Sequence, residues 1–336
     1  MSRTLSTLAR VCGGAAVLAV VVWQVGIGPF LQGVRTVDAW SLVAAAAIAV
    51  VTTLCCAWRW TLVARGLGVA VPLRSAVAAY YRSQFLNTTL PGGVLGDVHR
   101  GVRHGRDVGN VGRALRAVGW ERSAGQAVQA VLALAVLSTL PSPVRRPAAV
   151  GAFILVAVVL VVLVNGWGVP PTGSTGWARG VRAAVGDVRD GLAARGIWPG
   201  VVLASLVVVA GHATTFVIAA RTAGVAASPM QLLAPTLLVL LAMGIPANVG
   251  GWGPREGVAA WAFGTAGLGA DLGVSTAVVY GVMGLVANLP GAGVLVLSWA
   301  RSSVVRPPTA TRDGASEVAA RRGLGPLTTS YCPRVQ

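Results

Sequence analysis

The chain has 336 residues, of which 55% are hydrophobic and only 11% are charged. Soluble domains carry about 25% charged residues, so this composition excludes an ordinary soluble protein and predicts an all-α polytopic membrane protein. The formal net charge is +17, and all 27 basic residues are arginine. These arginines lie between apolar runs and not on a basic module. The positive-inside effect and anionic lipid headgroups therefore account for the charge, and no nucleic-acid partner is expected.

Six apolar runs predict full membrane spans, because a helix of about 20 apolar residues crosses a bilayer. They are residues 8–30, 39–62, 124–140, 148–167, 199–220 and 274–300. Residues 1–300 are therefore predicted to form one transmembrane domain, and the Pro- and Arg-rich residues 301–336 a disordered cytoplasmic tail. The loop at residues 169–198 has the spacing of an amphipathic helix on the cytoplasmic membrane surface, with a solvated connector helix as the alternative.

Two further apolar segments, residues 76–98 and 232–269, are interrupted by glycine and proline. The second has two prolines and five glycines within residues 244–257, beside the adjacent pair Arg255 and Glu256. Proline removes a backbone donor and glycine loosens a helix, so each segment is predicted to be two half-helices that meet at a break. Broken backbone at membrane depth is tolerated where it is buried in protein or lines a wet cavity. We therefore expect two re-entrant segments.

The distribution of arginines favours a topology in which both termini are cytoplasmic and both broken segments return to the side from which they enter. Of the arginines outside the membrane, only Arg35, Arg145, Arg146 and Arg221 then lie on the external side. The expected location is the plasma membrane. A matched pair of Gly/Pro-broken segments also indicates a transporter site between inverted repeats. The two breaks share only their glycine spacing, so inverted repeats and two unrelated segments both stay open.

Polar residues cluster at both breaks and are the candidate substrate contacts. On a helix, Ser83 and Asn87 are four residues apart and share one face, which should point at water or a polar headgroup. Glycines at a break let the backbone approach a ligand and expose N–H groups that hold phosphate, and arginines supply charge. The predicted substrate-binding residues are Arg82, Asn87, Gly92, Gly93, Gly96, Asp97, Arg100, Gly250, Gly251, Gly253, Arg255 and Glu256. The alternatives are a plain cytoplasmic turn at the first break and a local ion pair at the second.

Glu121 and Arg122 are predicted to form a structural charge pair at the head of the third span, where a carboxylate caps the helix N-terminus. The four cysteines form no CxxC motif. Asp97, His99, His104 and Glu121 lack the spacing of a metal site. The sequence therefore predicts no metal, no cofactor and no disulfide framework.

Four groups of residues follow one another in the order of a known family. They are Trp58-Arg59-Trp60-Thr61-Leu62, then Asn87 with Leu90-Pro91, Gly96-Asp97 and Arg100, then Glu121-Arg122, then Pro246 with Gly250-Gly251, Gly253 and Arg255-Glu256-Gly257. Residues 11–300 thereby resemble the lysylphosphatidylglycerol synthase transmembrane region family, which consists of flippase-like membrane proteins. The resemblance implies a stand-alone unit that moves a lipid between leaflets. The lack of the family's soluble domain argues against synthase activity.

Two stretches depart from the family pattern. Ser123-Ala124-Gly125-Gln126 stands where an acidic residue is common, and Tyr280-Gly281-Val282-Met283 stands where the last span often has an arginine. Both departures concern the charge network that the family uses. They therefore bear on the identity of the substrate.

The sequence thus predicts a flippase-like protein, not an enzyme, that translocates a phospholipid or polyprenyl-linked lipid. The expected partners are anionic, aminoacylated or polyprenyl-linked membrane lipids, and a separately encoded synthase or glycosyltransferase. One alternative is a non-catalytic membrane partner that scaffolds a lipid-modifying enzyme. Another is a membrane-embedded transferase with Asp97 or Glu256 as its base, which no nucleophile–base pair or metal motif supports.

Overall fold

The structure is a computed structural model that describes residues 26–90, 93–139, 196–244 and 252–304, together with residues 19, 22, 23, 186 and 187. This part of the chain is helical. The helices are α1 (Gly28–Arg35), α2 (Ala39–Gly66), α3 (Leu73–Thr89), α4 (Leu95–Asp107), α5 (Val111–Thr139), α6 (Trp198–Thr222), α7 (Pro229–Met243), α8 (Pro254–Thr265), α9 (Ala270–Asn288) and α10 (Pro290–Val304). The chain divides into a compact unit that ends at Val294 and a second unit from Leu295 onward.

Three helical stretches in the described part of the chain are long and apolar enough to cross a membrane: Ala39–Gly66, Trp198–Thr222 and Ala270–Trp299. They confirm three of the six predicted spans. The predicted spans at residues 8–30 and 148–167 lie largely or wholly outside the described residues, as do most of the loop at 169–198 and of the tail at 301–336. The predicted count of six is therefore not confirmed.

The predicted span at residues 124–140 is part of α5, which has 29 residues and begins at Val111. Helix α5 is not among the membrane-spanning stretches, because its first half carries Arg113, Arg116 and the Glu121-Arg122 pair and its second half contains the polar residues Gln126 and Gln129. The sequence placed Glu121 at a helix N-terminus. The structure places it in the middle of α5, so it does not cap that helix.

The two predicted interruptions are confirmed as breaks between helices. The first lies between Thr89 at the end of α3 and Leu95 at the start of α4, and the second lies between Met243 and Pro254. Gly253, at the second break, has a backbone φ of +122°, which only glycine adopts readily. Gly253 thus supplies the backbone conformation from which α8 begins.

Helices α3 and α4 form a hairpin in which the end of α4 lies beside the start of α3. His104, near the end of α4, lies 2.8 Å through its Nε2 from the carbonyl oxygen of Val69, which precedes α3. Gly96, at the tip, packs directly on the backbone of Ser83, where a Cβ atom would overlap the Ser83 carbonyl. The absence of a side chain at Gly96 thus allows the close contact between the two arms.

Helices α6–α9 repeat the order of α2–α5, in which a long helix is followed by two shorter helices around a break and then by another long helix. The connections after α2 and α6 have the same sequence pattern, Ala-Arg-x-x-Gly-Val-Ala, at residues 64–70 and 220–226. Gly68 and Gly224 both have positive φ values, +68° and +90°. In both turns the valine N–H bonds the alanine carbonyl at 2.9 Å. Local sequence thus gives the two connections one geometry.

The connections after α4 and α8 also match each other. Gly109 and Gly267 have φ values of +70° and +72°. The N–H of the next residue bonds back to the carbonyl of the residue four before the glycine, at 2.8 Å for Asn110 and 2.9 Å for Leu268. Both turns therefore use a left-handed glycine to end the second half-helix.

The first helices of the two groups, α2 and α6, pack against each other in opposite directions. Gly200, near the start of α6, faces Trp58 and Leu62 near the end of α2. Further along α6, Gly211 faces Thr52 and Ile48. Because these contacts run backward along α2, the equivalent helices of the two groups are antiparallel.

Helix α2 has one exposed tryptophan at its start and another about two turns before its end. Trp40 is 77% exposed and Trp58 is 36% exposed. Their separation of 18 residues corresponds to about 27 Å along a helix, close to the thickness of a hydrocarbon core of about 30 Å. Such tryptophans favour the membrane–water interfaces, so α2 is placed across the membrane. Asp38 caps the helix through the Ser41 N–H at 2.6 Å, which lowers the pKa of the Asp38 carboxyl.

Candidate functional site

A cavity of about 220 Å³ lies between the two groups of helices. Its walls come from α2, α3, α4 and α5 of the first group and from α6, α7 and α9 of the second. Besides charged residues, the polar lining consists of Gln84, Asn87, Gln126, Gln129, Ser205 and His212, with the two tyrosines Tyr80 and Tyr280. A polar cavity in the interior of an apolar helical protein is a default candidate for a ligand site.

The cavity lies between the ends of the two broken segments. Asn87 and Asp97, which flank the first break, line the cavity. Met243 and Gly244, which immediately precede the second break, line it as well. The sequence predicted a polar cavity at this place. Gly92, Gly250 and Gly251, which were also predicted to bind substrate, lie outside the described residues.

Asp97 is the centre of a charge network on one wall of the cavity. Its Oδ1 accepts hydrogen bonds from the Ser83 hydroxyl at 3.0 Å and from Arg100 Nε at 2.9 Å. Its Oδ2 accepts from Asn87 Nδ2 at 2.8 Å and from Arg122 Nη1. The predicted face of Ser83 and Asn87 therefore does carry polar contacts, but these satisfy a protein carboxylate.

Glu121 is the second acidic member and is completely buried. Its Oε1 accepts from Arg59 Nε at 2.8 Å, and its Oε2 accepts from Arg100 Nη2 at 2.8 Å. The Arg100 guanidinium also stacks on Tyr80, with 4.0 Å to the ring centroid. The predicted pair of Glu121 with Arg122 is not formed, because Arg59 and Arg100 occupy the two oxygens of the Glu121 carboxylate. Arg122 reaches Asp97 instead.

The network carries a net charge of +1, from three arginines and two carboxylates: Arg59, Arg100, Arg122, Asp97 and Glu121. Arg100 is buried beneath the wall and does not line the cavity. Arg122 does line it, and its side chain is 37% exposed. Only its Nη1 bonds another described residue. The other donors of the Arg122 guanidinium are therefore available to an anionic group.

One face of α5 forms a polar stripe that the sequence analysis missed. Arg122, Gln126 and Gln129 are spaced by four and three residues, so they share one face of the helix and line the cavity together. The amide nitrogen of Gln129 is buried and has no hydrogen-bond partner in the described structure. A buried unsatisfied donor costs about 1–3 kcal/mol, which an acceptor in the cavity would offset. The spacing of the three residues was the sequence signal.

Gly125 lies on the same helix beside the stripe and packs on the guanidinium of Arg59. A Cβ atom at residue 125 would lie 2.6 Å from Arg59 Nη1. Arg59 Nη1 also donates to the Ser205 hydroxyl of α6 at 2.9 Å, so it joins the two groups of helices. The family departure at residues 123–126 thus coincides with a glycine that makes room for a buried arginine.

The polar pair at the second break is a local cluster outside the cavity. Arg255 Nε donates to Glu256 Oε1 at 2.8 Å, and Glu256 Oε2 accepts from the N–H of Gly253 at 2.7 Å. The Arg255 guanidinium lies over the Trp252 ring at 4.9 Å and packs on Gly281. Gly253, Arg255 and Glu256 do not line the cavity. The local-ion-pair alternative therefore describes this break.

Three predicted site residues of the first segment also lie outside the cavity lining. The N–H of Gly96 is occupied by Asn87 Oδ1 at 2.8 Å, so it is not free to hold phosphate. Gly93 has a φ of +62° and serves the reversal of the chain. Arg82 is buried, its Nε has no partner in the described structure, and it does not line the cavity. These residues shape the break and do not face a ligand in this conformation.

His212 and Tyr280 line the opposite wall, and neither was predicted as a site residue. Tyr280 Oη and His212 Nδ1 are 2.9 Å apart. These residues are 68 positions apart on two different, largely apolar helices. Only the packing of α6 against α9 brings them together. In the described part of the chain, no three His, Cys, Asp or Glu side chains are arranged to hold a metal ion.

Membrane-spanning helices around a buried, charged cavity define a multi-pass membrane protein with a polar site in its interior. Residues 7–291 match the family model of the lysylphosphatidylglycerol synthase transmembrane region. The match covers most of the chain, which therefore belongs to that family, as the resemblance in the sequence indicated. A comparison with curated proteins finds no match. The family associates the chain with the membrane and with lipid metabolism.

Proposed function

We propose that this protein is a plasma-membrane lipid flippase, and not an enzyme, that takes a lipid headgroup into the cavity between its two groups of helices. The observation that carries the proposal is a polar cavity of net charge +1 between the ends of two broken helical hairpins. A lipid headgroup that crosses a bilayer needs polar groups to replace its water. The cavity supplies them at membrane depth.

The arrangement of helices supports alternating access. The two groups have the same order of elements and matching turns, and their first helices run in opposite directions. This is the pattern of inverted repeats, in which the substrate lies at the interface and the two halves rock around it. The hairpin α3–α4 returns to its own side, as a re-entrant segment would. We infer that the matching hairpin α7–α8 enters from the other side.

In this proposal α5 contacts the headgroup, in place of the glycine N–H groups at the breaks that the sequence favoured. Asp97 and Glu256 are each the third residue of their half-helix and place a carboxylate of the protein there. The free side of the Arg122 guanidinium and the unpaired amide of Gln129 are two donors that face the cavity. Both suit phosphate oxygens, which indicates a phosphate-bearing lipid.

The test is lipid translocation in proteoliposomes that contain headgroup-labelled anionic, aminoacylated or polyprenyl-phosphate lipids. We expect the protein to accelerate one class over protein-free liposomes. Arg122→Gln should slow that movement by about 10- to 100-fold, because a charged hydrogen bond is worth about 1.5–3 kcal/mol. Arg113→Gln is the matched control, since Arg113 is an exposed arginine on the same helix.

Equal rates with and without protein for every lipid class would refute the proposal. So would acceleration that survives Arg122→Gln unchanged. A scaffold for a separately encoded synthase or glycosyltransferase would give no acceleration and would keep its partner bound in both variants. A transferase would convert its lipid chemically, which mass spectrometry of the recovered lipids would detect.

A further inference from the structure

A second, smaller cavity of about 80 Å³ lies against the first. Its polar lining consists of Thr52, Thr215 and Asn288, with the three residues that it shares with the larger cavity. None of the described residues that line it is an arginine, aspartate or glutamate. The smaller cavity is therefore polar but lacks the charge network of the larger one.

The two cavities are stacked along the helices that cross the membrane. On α2, the smaller cavity is lined by residues from Ala45 to Thr52, and the larger one by Cys56 and Arg59. From Ala45 to Arg59 is 14 residues, or about 21 Å along a helix, which is about two thirds of a hydrocarbon core. On the antiparallel helix α6 the order is reversed, with Thr215 at the smaller cavity. Together the cavities cover most of the membrane depth.

Three residues line both cavities and separate them: Gln84, His212 and Tyr280. Tyr280 Oη and His212 Nδ1 are joined by a 2.9 Å hydrogen bond between α9 and α6. Gln84 Oε1 accepts from the Thr53 hydroxyl at 3.0 Å, which ties α3 to α2. The partition is therefore made by residues of both groups of helices, and one side-chain hydrogen bond within each group holds them in place.

We propose that Gln84, His212 and Tyr280 form the gate of a single translocation path, with the two cavities as its opposite vestibules. This proposal rests on the proposed lipid translocation and adds the position at which the path is closed. Arg122, which lines the larger cavity, holds the headgroup in that vestibule. Separation of Tyr280 from His212 then lets the headgroup pass into the smaller one. Tyr280 and His212 lie on two different helices of the second group, α9 and α6, so movement of α9 against α6 opens the partition beside Gln84 of the first group.

If the gate is closed, a membrane-impermeant reagent should enter each cavity from one face of the membrane only. In a background in which all four cysteines are replaced by serine, Gln126→Cys reports on the larger cavity and Asn288→Cys on the smaller one. Both positions are half-buried and line only their own cavity. A membrane-impermeant charged thiol reagent is applied to spheroplasts and to inverted membrane vesicles. Each cysteine should react in one preparation only, and the two should react in opposite ones.

The gate is then opened by substitution. Tyr280→Phe removes the hydrogen bond but keeps the ring packed beside Phe216, and His212→Leu removes the other partner. Each should raise labelling from the far face several-fold, up to about tenfold, which is the effect of one net hydrogen bond on an equilibrium. Thr236→Val is the control, because it removes a buried hydroxyl bond within α7 that touches neither cavity. Unchanged labelling from the near face shows that each variant is folded.

The gate is refuted if both reporter cysteines react from the same face, or if neither Tyr280→Phe nor His212→Leu changes labelling from the far face. These outcomes are separate from the failure of the proposed function. Opposite-face labelling that responds to both substitutions, with no movement of any lipid, would support the gate and refute lipid translocation. Lipid movement with same-face labelling would support translocation and refute the gate.

Discussion

Replacement of Glu121 by glutamine tests whether the charge network stabilises the fold. Glu121 is completely buried and contacts two buried arginines, Arg59 and Arg100. Glutamine has nearly the same shape, so the substitution removes charge without leaving a cavity. The net charge of the network rises from +1 to +2, and its arginines lose one of their two carboxylates.

The expected loss of stability is about 3–5 kcal/mol, because removal of one partner of a buried ion pair leaves an uncompensated charge in a medium of low dielectric. Asp107→Asn is the control, since Asp107 is exposed at the end of α4, and we expect a change within about 0.5 kcal/mol. The measurement is denaturant unfolding in mild detergent, followed by tryptophan fluorescence. Trp60 lies 4.8 Å from the Arg100 guanidinium and reports on the network directly.

A second substitution separates charge from hydrogen bonding. Arg59→Met combined with Glu121→Gln returns the net charge of the network to +1, so the double variant should be more stable than the sum of the two single losses by about 1–3 kcal/mol. The electrostatic explanation would be refuted if Glu121→Gln unfolds within about 1 kcal/mol of the parent. Strictly additive losses in the double variant would refute it as well.

Two pairs of glycines on the long helices give further predictions, each measured as the same unfolding free energy. Gly125→Ala should cost about 1–3 kcal/mol because its Cβ would displace the Arg59 guanidinium, whereas Gly119→Ala has open space and should gain about 0.5–1 kcal/mol. Gly281→Ala should cost a similar amount because it overlaps Arg255, whereas Gly284→Ala meets nothing within 4 Å. Equal effects within either pair would contradict the close packing of the arginines.

Local sequence predicted the two breaks. Proline and glycine act on their own backbone, so the interruptions after Thr89 and Met243 were readable without any knowledge of the fold. The repeated pattern at residues 64–70 and 220–226 is visible in the sequence in the same way, although the prediction of inverted repeats rested on the glycines of the two breaks instead. The start of α5 was missed because hydropathy detects an apolar run and not the polar first half of a helix.

The chain by itself determined the class of protein, because composition and apolar run length follow directly from the order of residues. It also determined that polar groups had to lie beside the broken segments. The tertiary structure alone decided which polar groups meet. Glu121 binds Arg59, 62 positions away, and Tyr280 meets His212, 68 positions away. Such pairs depend on how the helices rotate and cross. When a helix is apolar on nearly all sides, its sequence does not indicate which face packs against which neighbouring helix.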